Sequence, residues 1–302
     1  MASFCVGGVA QAGEGAGSHY VPGTRNDFLL GVFGPAGWYV RNDLWYFDYS
    51  MGVNPRGGVV TGEATEKAWL NTLKLSYLSN KEFFGARYGA SMAATYVINA
   101  DISGAATIGG GNALTGGDVS GLSDLYVAPV LLNWTGEKQH FTFQGAFYAP
   151  TGGYNPNAKL NTGRNYWTLD FVGNYTWFDP ATGWEVSANA GYQYNFENPE
   201  TNYKTGDETH VDWTFAKHFA NKTALGLSGY YYAQVESDSG TLVGPKNASD
   251  FQAYSWGLGP SAQFNLPVGD KSVGIIAKAL FDIDSKDRLE GDLFMLSATY
   301  AF

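Results

Sequence analysis

His210 and Asp212 are two residues apart, and a carboxylate beside an imidazole is the pairing that general acid–base chemistry uses. If the stretch is a strand, the two side chains share a face, because successive residues of a strand point to opposite sides. The pair lacks an activated nucleophile, and no Gly-x-Ser-x-Gly occurs in the chain. A hydrolase is therefore the weakest of three functional classes, and no enzyme activity is expected. The other histidines, His19, His140 and His218, show no paired ligand spacing, so neither a metal nor a cofactor is predicted. His218, beside a short turn, reads as solvated. Glu197, Glu200, Asp207 and Glu208 read as a solvated loop; binding Ca²⁺ or bridging lipopolysaccharide cations are their alternatives. Cys5 is the single cysteine, which excludes an internal disulfide framework.

Most of the remaining chemistry-bearing residues lie within alternating segments. In 165–178, Trp167, Leu169, Phe171, Tyr175 and Trp177 share one face, and Thr168, Asp170, Asn174 and Thr176 share the other. Segments 183–196 and 222–236 alternate in the same way. Twelve such segments emerge, near 38–50, 66–78, 82–99, 122–134, 138–149, 165–178, 183–196, 208–219, 222–236, 250–266, 271–284 and 290–302. Trp and Tyr flank the apolar faces, as in membrane girdles. The gaps alternate in length: short turns such as 79–81, 135–138, 179–183, 220–222 and 267–270 are separated by longer loops such as 51–65, 100–121 and 150–164. Short turns at one end and long loops at the other are the pattern of an outer-membrane barrel. The last strand, 292–302, places Phe302 and Tyr300 on its apolar face, as a barrel-closing strand would.

Composition agrees. Charged residues are 15% of the chain, against roughly 25% in soluble domains, and aromatics are 16%. No apolar run approaches the length of a transmembrane helix. The net charge of −10 argues against nucleic acid as a partner. The fold predicted is all-β: a 12-stranded antiparallel transmembrane β-barrel over 38–302, in the outer membrane of a Gram-negative bacterium. Residues 1–12 read as the remnant of a signal peptide, with a small-x-small site at Ala10-Gln11-Ala12. Residues 13–37 do not alternate but are too apolar for a solvated tail. They are expected to fold into the lumen, with His19, Tyr20, Pro22 and Phe28 as a plug.

In that frame Arg41, Asp43, Arg87, Asp124, Tyr126, Asp170, Glu185, Asp212, Tyr230, Tyr232 and Lys278 are predicted to line the lumen, with Glu236 and Asp282 beside them. Buried charges must be paired or wet, so filling of the interior explains these residues as readily as a solute path does. Pro129 and Pro260 fall inside strands, where proline cannot donate a ladder hydrogen bond. They mark bulges near a rim or an opening in the wall.

Asn165–Asp170, Gly183–Glu185, Tyr194–Pro199 with Thr205–Glu208, Leu122–Leu125 with Pro129, Tyr148–Gly153, His19–Pro22 and Glu290–Asp292 occur in an order that resembles the outer-membrane channels of the meta-pathway of phenol degradation family. The resemblance spans about residues 18–302. It implies passive uptake of small hydrophobic molecules, aromatic or lipid-like, through a twelve-stranded barrel with a partly filled lumen and a side exit. The partners implied are that solute, outer-membrane lipid and lipopolysaccharide, and the barrel-assembly machinery. Chain length points to a monomer. A general hydrophilic porin is the alternative. The Gly-rich stretch 100–121 matches no motif of the family.

Overall fold

The computed structural model describes residues 17–53, 60–108, 111–156, 158, 160–240, 252–286, 288 and 290–302, with the backbone alone at 51–53, 60–64, 105–108 and 111–115. The 1–12 segment and part of the 237–249 connection lie outside the described residues. Among the described residues fifteen strands form: β1 (Gly37–Val53), β2 (Val60–Phe83), β3 (Ala86–Ile108), β4 (Gly111–Leu122), β5 (Leu125–Thr135), β6 (Gln139–Ala149), β7 (Thr168–Asp179), β8 (Trp184–Asn195), β9 (Tyr203–Lys204), β10 (Glu208–His218), β11 (Ala224–Gln234), β12 (Ser239–Gly240), β13 (Tyr254–Val268), β14 (Lys271–Lys286) and β15 (Glu290–Ala301). Thirteen of them make one antiparallel sheet. β4 and β5 pair with successive parts of β3, so they share one wall position and the wall has twelve. β1 pairs with β2 on one side and with β15 on the other, which closes the barrel.

The alternation decides which face is which. On β8 every second residue is buried, from Glu185 to Asn195, and on the opposite face Trp184, Val186, Tyr192 and Tyr194 are exposed. The buried set is polar and the exposed set apolar, the reverse of a water-soluble domain and the arrangement of a barrel in lipid. On β15, Leu293, Met295 and Ser297 face in, and Phe294 and Leu296 face out. Tyr300 and Phe302 stack edge to face at 5.1 Å, and the Phe302 N–H bonds the Trp38 carbonyl at the seam.

Three boundaries differ from the sequence reading. Strand β2 runs through 79–81 to Phe83, and the turn is Phe84–Gly85, both in the left-handed region that a two-residue hairpin turn requires. The stretch 100–121 is not a loop. β3 continues to Ile108 and returns as β4, because its backbone stays paired with β2 from Ala100 to Ile108. Gly and Ala there carry no alternation, yet the ladder needs only their backbone. Likewise β1 and β2 extend into 51–65.

The wall prolines sit at irregularities. Between Val127 and Val130, β5 carries two residues against the single Ala146 of β6, a bulge that places Pro129 where no donor is needed. The Pro129 carbonyl accepts from the Tyr88 hydroxyl at 2.6 Å. Between β13 and β14 the register shifts at Trp256/Gly257, and pairing lapses across Gly259 and Pro260. A Cβ on Gly259 would lie 1.9 Å from the Ala279 carbonyl oxygen. Gly259→Val is therefore expected to force β13 from β14 and lower the folded fraction. The change in gel mobility between unheated and boiled samples reads this directly.

Candidate functional site

The inner face holds a charge network, and the segment before β1 bonds to it. Residues 18–34 carry no regular structure, so their backbone groups need partners, and the wall supplies them. Gly31 donates from its N–H to Thr176 at 2.8 Å, and its carbonyl accepts from Asn133 and Thr142. A Cβ on Gly31 would meet the His140 carbonyl oxygen at 2.6 Å, so only glycine permits this approach. The Leu29 N–H reaches Glu185 at 2.5 Å. Further along, Asn26 and Arg25 donate their N–H groups to Asp212 at 3.1 and 3.3 Å.

Asp212 is the hub. Its other oxygen accepts from the Tyr20 hydroxyl at 2.8 Å and lies 3.2 Å from His210 Nδ1. The Tyr20 ring stacks on His210 with centroids 4.0 Å apart. The His210–Asp212 pair is thus in contact as the spacing predicted, but the N-terminal segment covers it and the imidazole side chain is 1% exposed. Beside it, Arg25 pairs with Asp170 at 2.5 Å and donates to the Tyr148 hydroxyl at 3.0 Å. Burial works against the Arg25 charge, but Asp170, Tyr126 and Tyr148 hold its pKa well above the ordinary value. His19 bonds Asp124 at 2.9 Å and Thr168 at 2.8 Å and stacks on Tyr148. Burial lowers its pKa, against the opposing pull of Asp124.

The other expected lining residues sort as follows. Tyr126 donates to Asp170 at 3.2 Å. Arg41 bridges Asp43 and Asp27, and Lys278 donates to both oxygens of Asn26. Burial raises the Asp27 pKa, but Arg41 and Lys278 outweigh it and the net direction is down. Arg87 donates to the Gly34 carbonyl at 3.0 Å. Tyr230 packs with Trp45, Phe47 and Leu280 in a buried apolar cluster, and Tyr232 donates to Glu208 at 2.6 Å. Pro22 and Phe28 are buried, with Phe28 edge-on to His218.

Some expectations fail. His218 is not solvated: its Nε2 lies 2.5 Å from Glu185, and its side chain is 17% exposed. Asp207 and Glu208 are buried, and Asp207 accepts from the Tyr192 hydroxyl. Glu236 does not face the lumen; it lies beyond the end of β11, exposed, near Lys204. Sequence reasoning missed Arg25, Asn26 and Asp27, although the run of polar residues Thr24–Asp27 in an apolar segment was a signal. Among the described residues no group of three His, Cys, Asp or Glu is arranged to hold a metal.

A closed sheet of twelve positions with an apolar outside and a charged inside defines a membrane β-barrel of the outer-membrane type. The chain belongs to the family described as "Putative MetA-pathway of phenol degradation", whose model matches residues 50–298. No curated protein matches it. Among solved structures, an outer membrane channel from Pseudomonas putida F1 superposes with a TM-score of 0.72 at 14% identity, covering 94% of this chain and 100% of that one. The translocator domain of autotransporter NalP from Neisseria meningitidis gives 0.42 at 11% identity, over 89% and 90%. A FadL homologue of Pseudomonas aeruginosa gives 0.38 at 11% identity, over 88% and 90%.

Proposed function

We propose that the protein is an outer-membrane channel for passive uptake of small hydrophobic molecules, aromatic or lipid-like. Of the expected lumen segment 13–37, residues 17–37 fill part of the lumen and 13–16 lie outside the described residues; solute leaves through the barrel wall. The observation that carries this reading is the bonding of residues 18–34 to inward-facing side chains of β5, β6, β7, β8, β10 and β14. A segment tied on so many sides obstructs an aqueous path, whereas an apolar solute can use the wall. The family description and the channel from Pseudomonas putida support the same class. Pro129 and Pro260 are the candidate exits. The Pro129 bulge is backed from inside by Ala128 and Ala146, against which Phe33 packs, so exit there requires Phe33 to move.

A hydrophilic porin has the polar inner face in its favour. Uptake by cells lacking the protein separates the two. Loss of phenol or fatty-acid uptake with sugar uptake intact supports the proposal. Loss of sugar uptake alone would sink it.

A further inference from the structure

A recess of about 650 Å³ opens on the outer face where β6, β7 and β8 meet the long loops. Phe147, Trp167, Leu169 and Phe196 line it, and Pro150 and Pro199 bound it on the loop side. Its volume lies within the roughly 300–1,000 Å³ of small-molecule sites. The outward wall elsewhere is apolar and carries aromatics too, and a second recess of about 230 Å³ lies beside Trp134, Phe141 and Tyr175; this one is the larger of the two. The Phe147 and Trp167 rings stand 5.7 Å apart and inclined at 46°, which presents both a face and an edge to a planar guest.

The recess is not uniformly apolar. Asn165 and Glu197 lie on it, the Glu197 carboxylate exposed. Asn165 sits in the left-handed backbone region (φ 61°) and donates to the Asn198 side chain at 2.8 Å. Tyr166 forms the floor and is 1% exposed. Its ring meets His19 edge-on at 4.9 Å, so the floor rests on the N-terminal segment inside the barrel. One side chain thus separates the outer recess from the lumen network.

We infer that this recess is a binding site for a small monocyclic aromatic carrying a hydrogen-bond donor, its ring between Phe147, Trp167, Leu169 and Phe196 and its donor toward Glu197. A phenol has that shape and polarity. A solute dissolved in the outer leaflet would reach this site from the membrane. The inference deepens the proposed function, since it gives the solute a place to bind, but it does not require transport.

The test is equilibrium dialysis of the purified full chain in detergent micelles against 4-bromophenol, with protein-free micelles as blank. One saturable site is expected. Leu169→Trp, which fills the recess, should weaken binding about tenfold or more, equivalent to ~1.4 kcal/mol. Leu225→Trp on β11, another exposed leucine of the outer wall, should leave it unchanged. Equal binding by both variants and the intact chain would overturn the site and assign the ligand to general partition on the apolar wall. Binding lost in Leu169→Trp, together with no phenol uptake by cells carrying the intact chain, would sink the channel and leave the site standing.

Discussion

Removing residues 1–33 is expected to raise single-channel conductance in planar bilayers, because the polar interior of a barrel conducts once water fills it. The wall should survive the deletion. Every strand pairing that closes the barrel is between residues 37 and 302, and none uses the segment. The deletion exposes Asp170, Glu185 and Asp212, which the segment now satisfies, to water rather than to an apolar core, so the cost of losing their partners is moderated by hydration. Under the proposed function, aromatic selectivity should fall as conductance rises. An unchanged conductance in a folded, heat-modifiable barrel would mean that the obstruction lies in the long loops. The paired loops β9 and β12, fastened through Tyr203 to Asp238 and Gly206 to Asp238, would then be the next element to remove.

What the sequence made legible was whatever repeats locally. The strands β7, β8 and β11 alternate polar with apolar, and period two can be read from a few residues. The closing strand was legible for the same reason, and the short turns other than 79–81 because they concentrate Gly, Asn, Asp and Pro. The hairpin β3–β4 was not, since its Gly and Ala carry no face preference and its pairing is with β2, some forty residues away. The site was half legible. Asp170, Glu185 and Asp212 fall on the polar faces and could be placed inward, but their partners could not. Glu185 meets His218 thirty-three residues on, and Asp212 meets Tyr20 nearly two hundred residues back. A residue such as Asp207 or Glu208 reads as a solvated loop carboxylate until Tyr192 and Tyr232 are known to reach it.

The Arg25–Asp170 pair gives the sharpest energetic expectation. The Asp170 side chain is fully buried and that of Arg25 is 15% exposed, so neither charge is well hydrated. Removing one partner of such a pair costs ~3–5 kcal/mol, chiefly by leaving the other charge uncompensated. Arg25→Ala should therefore detach the N-terminal segment around residue 25, or unfold the barrel locally at β7 if Asp170 cannot hydrate. Asp170→Asn alone strands Arg25 against Tyr126 and Tyr148. The double variant Arg25→Ala with Asp170→Asn removes both charges, and it should recover much of the loss, because a neutral amide still accepts from Tyr126. A double-mutant cycle measures this coupling. The readout is protease accessibility of the segment between Ser18 and Phe33 in the folded barrel. Faster cleavage in Arg25→Ala, reversed in the double variant, is the expected result. Additive effects would show that Arg25 and Asp170 act apart, and that Asp212, with its bonds to Tyr20, Arg25 and Asn26, holds the segment alone.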